Sequence, residues 1–157
     1  MSVKELKNQL QLAHSKSNTN LIVSKIQSGK FKLPDVFSII KKNEALYAQR
    51  AAWIISTLSD KNKELLAPHY DDLISLIDQK YHDAVLRSTY RTLASMTIKE
   101  KDQAKVFDNS MYFLNSKRTA VAIKSWVIDV LMNIATPYPD LQNEILLSIE
   151  PQLPFAT

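Results

Sequence analysis

Three histidines, His14, His69 and His82, are the side chains best suited to proton transfer or metal ligation near neutral pH. They fall in separate stretches and lack the paired spacing that aims two imidazoles at one metal. Surface or helix-cap positions are their expected places. The chain has no cysteine, which removes thiolate metal sites, thiol catalysis and disulfides together. Its single glycine, Gly29, cannot build a phosphate-cradling loop. There is no Gly-x-Ser-x-Gly elbow. Asp71-Asp72 is an acidic pair, but it stands at a helix start, where negative charge complements the helix dipole. No catalytic residue, metal or cofactor is assigned, and the reading leans away from an enzyme.

Recognition suits the remaining residues better. Trp53 lies well off the apolar face of its helical stretch, beside Leu46, Arg50 and Thr57. Burial against a neighbouring helix is one outcome. The other is an exposed indole beside a guanidinium, a pairing typical of interaction hot spots. Arg87 and Arg91, one turn apart, extend the basic theme. The candidate binding residues are Arg50, Trp53, Arg87, Tyr90, Arg91 and Trp126. Guanidinium forks suit carboxylate or phosphate, so the expected partner is acidic. Glu44, Asp60 and Asp83 are near enough in sequence to neutralise the arginines internally, which is the competing explanation.

Helices must position these residues. One glycine in 157 residues is too few for the turns of a β fold, so the chain reads as helices joined by short polar loops. Val3, Leu6, Leu10 and Ala13 have helical spacing. Ser15–Asn20 reads as a polar break, and Leu21, Ile22 and Ile26 form a second short helix that Gly29 ends. Pro34 and Asp35 open the next. Ala45–Leu58 follows, with small residues on one face. Leu65–Gln79 carries a further helical pattern that Pro68 starts or kinks. Asp83–Met96, a helix around Ala104–Leu114, the stretch Arg118–Thr136 and a last amphipathic helix through Ile149 complete the series. Arg118–Thr136 is the most apolar. Ile123, Val127, Ile128, Leu131, Ile134, Val121 and Met132 cover about half its circumference. It is therefore expected to be buried on most sides.

Three of these helices read YAQRAAWIISTL, AVLRSTYRTLAS and AVAIKSWVIDVL. Their aromatics, Trp53, Tyr90 and Trp126, are 37 and 36 residues apart. Each helix follows another helical segment, so a two-helix unit recurs, as in a helical solenoid. Around Arg50-Ala51-Ala52-Trp53 with Leu58, and more loosely at Leu86-Arg87-Ser88 and Val121–Ser125, the chain resembles the HEAT/armadillo family of helical repeats. The resemblance covers roughly Leu33–Leu153. It implies an all-α, right-handed α-α superhelix of about three to four stacked antiparallel helix pairs. In it, the second helices line the concave side.

The expected organisation is one domain over 1–157: N-terminal helices over 1–30, repeat units over 33–153 and a frayed tail over 154–157. The N-terminus has no apolar signal core, and no apolar run approaches the ~18 residues of a membrane span. The expected compartment is the cytoplasm. A net charge of +4 leans mildly towards acidic partners. Two functions fit. The first is a non-enzymatic module that binds a protein or peptide. The second is a nucleic-acid-binding protein related in fold to the DNA alkylation-repair glycosylases. In that reading Arg50, Arg87, Arg91, Lys124, Trp53 and Trp126 would line a groove, and Asp129 is the only carboxylate on the most apolar helix.

Overall fold

A computed structural model describes residues 2–78 and 80–155. Among them are nine α-helices and no strand: α1 (Val3–Leu12), α2 (Lys16–Gln27), α3 (Leu33–Lys41), α4 (Ala45–Asn62), α5 (Tyr70–Ile74), α6 (Asp83–Ala94), α7 (Glu100–Asn115), α8 (Val121–Ala135) and α9 (Pro139–Ile149). Segments Lys63–His69 and Glu150–Phe155 are 3₁₀-helical. The architecture is an all-α helical repeat. The chain divides into two compact units, Met1–Thr89 and Tyr90–Thr157, and the division falls within α6.

In the first unit, α1 packs on α2, α3 and α4, and α2 packs on α4. Leu6 and Leu10 of α1 are buried, as are Ile22, Val23 and Ile26 of α2. The buried residues of α3 and α4 include Val36, Ile40, Ala48 and Ala52. Ser56 continues the row of Ala48 and Ala52 along α4, and its hydroxyl donates to that of Ser88 on α6 at 3.4 Å, both residues being buried. In the second unit α8 packs against α7 and α9, and α7 also packs against α9.

Local chemistry explains the helix ends. Ser15 caps α2 by accepting from the Asn18 amide at 3.0 Å, so the polar stretch read as a break is already helix from Lys16. Gly29 has φ +84°, and the Lys30 and Phe31 amides fold back to the Lys25 carbonyl. Asn43 takes the same left-handed role after α3, at φ +58°.

Two expectations are corrected. The segment after Leu65 is 3₁₀ through His69 and then only five residues of α-helix. Pro68 has no N–H for an α-helical bond, which fits the change of winding. Leu76 and Ile77 are buried beyond the end of α5. Gln79, the expected end of that pattern, lies outside the described residues. The helix α8 buries one face rather than most of its surface. Ile123, Val127, Val130, Leu131, Ile134 and Ala135 are buried, whereas Val121 is 54% exposed and Ile128 and Met132 are half-buried. Apolar residues alone do not specify which side a neighbour covers. Of the expected frayed tail, Ala156 and Thr157 lie outside the described residues, and Pro154 and Phe155 belong to the closing 3₁₀ segment.

Candidate functional site

Arg50 lies on α4, half-buried, and reaches the C-terminus of α1. Its Nη1 donates to the Leu10 carbonyl at 2.7 Å and to the Gln11 carbonyl at 3.2 Å. These are among the carbonyls that a helix end leaves unpaired, and a cation there also meets the negative end of the dipole. This gives Arg50 a structural task. Glu44, one of the acids expected to neutralise it, instead meets Lys7 at 3.5 Å. The Lys7 ammonium also lies 4.4 Å from the Tyr47 ring centroid.

Trp53, one turn beyond Arg50, is half-buried. The His14 ring meets it edge-on, with centroids 5.2 Å apart. Arg87 is exposed on α6. Tyr90 has 0% exposure, so it is not offered to a partner at the surface. It is a core residue. The Ser110 hydroxyl donates to its phenol at 3.4 Å, and Phe113 packs edge-on at 5.8 Å between centroids. Burial pushes the phenol up to about 12, partly offset by the Ser110 hydrogen bond. The aromatic position thus recurs in sequence without recurring in exposure. Tyr90 turns inward, whereas Trp53 and Trp126 are half-buried.

In the second unit Arg91 lies over Trp126, its guanidinium carbon 5.6 Å from the ring centroid. Both residues are half-buried. The contact joins the last turn of α6 to the middle of α8. A guanidinium over an indole face is a cation–π pair. Lys124, also on α8, donates to the Gln152 side-chain carbonyl. Gln152 in turn donates to the Leu114 and Ser148 carbonyls, both at 2.9 Å. Asp129 is exposed.

His69 and Asp72, which nothing in the sequence connects, form a second cluster with Lys41. Asp72 accepts from the Lys41 ammonium on one carboxylate oxygen and meets His69 Nδ1 at 3.4 Å on the other. The Lys41 hydrogen bond holds the Asp72 carboxyl below the usual carboxylate range, against opposing desolvation and with help from His69. His69 stacks on the buried Phe37, centroids 5.4 Å apart. Pro34, Phe37, Ser38, Lys41, Lys42 and Asp72 line an open groove of about 390 Å³ here. The spacing from Lys41 to Asp72 is 31 residues, short of the repeat length, so periodicity gave no signal for it. The cluster pairs a carboxylate with a lysine ammonium and an imidazole. It ties the 3₁₀ segment and α5 to α3.

The other histidines are placed apart from this cluster. His82 caps α6, its Nδ1 accepting from the Ala84 amide at 3.0 Å, and His14 is the edge partner of Trp53. Among the described residues no group of three or more His, Asp or Glu could hold a metal ion. No described helix is long and apolar enough to cross a membrane.

No curated protein and no solved structure matches the chain. A family model described as HEAT repeat domain matches residues 6–153. The matched span begins inside α1 and takes in both helices upstream of Leu33. That agrees with the packing, in which α1 and α2 bury their apolar faces on α3 and α4. With helices packed in successive pairs and the family model spanning nearly the whole length, the chain belongs to the HEAT repeat domain family.

Proposed function

We propose that this chain is a non-enzymatic protein- or peptide-binding module, and that the Arg91–Trp126 pair is its recognition patch for an acidic partner. The observation that carries this reading is the guanidinium held over a half-buried indole. Tryptophan and arginine are the residues most enriched in binding hot spots. Stacking restrains the arginine fork, so less freedom is lost when a carboxylate docks on it. Stacked helices supply the extended surface on which a peptide can lie. Arg87 and Trp53 remain candidates for neighbouring contacts, Arg50 is left to the fold, and Tyr90 is set aside because it is buried. The cytoplasm stays the compartment of this reading.

The test is selection of peptides from a displayed random library on the purified protein, followed by calorimetry. Selected peptides should be rich in Asp and Glu. Trp126→Ala and Arg91→Gln should each weaken them at least about tenfold, a loss of ~1.4 kcal/mol, with helicity retained. Wild-type affinity retained by both variants would remove this patch. Binding of oligonucleotides instead, with affinity collapsing as salt rises, would favour the nucleic-acid alternative.

A further inference from the structure

We propose that the outward face of α1 in one copy of this chain docks on the outward face of α9 in a second copy. Both helices leave a face open that matches the other. In α1 the core residues are Leu6 and Leu10, and helical winding puts Lys4, Asn8 and Leu12 on the opposite side. All three are exposed, Leu12 to 73%. In α9 the core residue is Ile145, and Asp140, Asn143 and Leu147 lie opposite it. These too are exposed, Leu147 to 70%.

The two faces correspond turn by turn. Each has a charge in the first turn, an asparagine in the middle and a leucine near the end. The charges are opposite, Lys4 against Asp140. Lys4 to Leu12 spans about 12 Å of helix and Asp140 to Leu147 about 10 Å, at 1.5 Å per residue. A parallel pairing therefore brings unlike charges together at one end and the leucines together at the other. A single exposed leucine is ordinary. Two of them, at matching positions on oppositely charged faces, are not.

The wider charge distribution agrees. Residues 1–32 contain Lys4, Lys7, Lys16, Lys25, Lys30 and Lys32 against one acid, Glu5. Beyond Lys124 there is no Lys, Arg or His, only Asp129, Asp140, Glu144 and Glu150. A second copy is the occupant chosen because each copy necessarily carries both complementary faces. Such a contact is heterologous, so each added copy leaves one face of each kind open unless a ring closes. This surface is separate from the Arg91–Trp126 patch and does not depend on it.

The experiment is sedimentation velocity of the full chain from micromolar to near-millimolar concentration in low salt. The wild-type mean mass should rise with concentration. Leu12→Lys and Leu147→Lys, both at exposed positions and favourably charged for a helix end, should each remain folded by circular dichroism and weaken self-association at least tenfold. Mixed one to one, the two variants should form a heterodimer and nothing larger, because each supplies the face that the other retains. A wild type that stays monomeric throughout, variants that associate like the wild type, or a mixture that stays monomeric would each overturn the proposal.

Discussion

Tyr90 shows how a single residue departs from its repeat position. Its phenol is buried and keeps one hydrogen-bond partner, Ser110, which is itself fully buried. A neutral phenol fits that environment and a phenolate does not. The pH dependence follows with a definite sign. The unfolded phenol ionises near 10, whereas the folded one holds its proton to about 12. The folded state therefore binds more protons between those values, and its stability falls as pH rises through that window. Below the unfolded value the contribution is fully present. Ultraviolet titration should show a late tyrosine step, with Tyr90 ionising well above 10. Tyr90→Phe should remove that late step, and a variant that retains it would assign the step to another tyrosine. None of this was legible beforehand. The 37-residue spacing from Trp53 identifies equivalent helix positions, but inward or outward rotation depends on which neighbours pack there. Arg50 makes the same point. Its place beside Trp53 was visible in the sequence, while its hydrogen bonds to α1 required the fold.

At the scale of elements, the helices recovered from periodicity are the long ones with clear apolar spacing, and Gly29 marks the end of α2 as expected. The weak element is the region of α5. Its apolar residues continue at helical spacing, yet Pro68 lacks an N–H and the chain winds as 3₁₀ around it. Helix α8 was recognised as an element, but its burial was overestimated. The count of apolar positions includes Val121 in the first turn and Ile128 on the flank, and neither is fully covered. The distinction has an energetic consequence. Leu131 has 0% exposure, so Leu131→Ala should leave a cavity and cost about 2–5 kcal/mol. Ile128→Ala at its half-buried position should cost less, roughly 1 kcal/mol. Urea melts of the two variants check the ordering. Equal losses would mean that the two sites have similar packing, contrary to their burial.

At the scale of the molecule, the repeat is written in hydrogen bonds as well as in apolar spacing. Within the first unit Arg50 donates to the Leu10 carbonyl across 40 positions, and Asn43 donates to the Lys80 carbonyl across 37. Within the second, Asn133 donates to the Ala94 carbonyl across 39, and Gln152 to the Leu114 carbonyl across 38. Three of these acceptors, Leu10, Ala94 and Leu114, lie in the last turn of a helix, where carbonyls lack an intrahelical partner. A side chain about one repeat downstream thus completes an earlier helix end within each unit, adding direction to burial. The same logic decides whether α1 and α2 are an appendage or part of the repeat. Leu6, Leu10, Ile22, Val23 and Ile26 are all buried. At about 1.5–3 kcal/mol each, these five side chains represent roughly 7.5–15 kcal/mol of burial. The whole stability of a domain is about 5–15 kcal/mol. Deleting residues 2–28 should therefore abolish cooperative unfolding of the first unit, because it also uncovers the faces of α3 and α4 and strips Arg50 of both acceptor carbonyls. Thermal melts followed by circular dichroism, with a dye that reports exposed apolar surface, make the comparison. If the shortened chain melts at the full chain's midpoint and binds no dye, α1 and α2 are accessory and the repeat stack begins at α3.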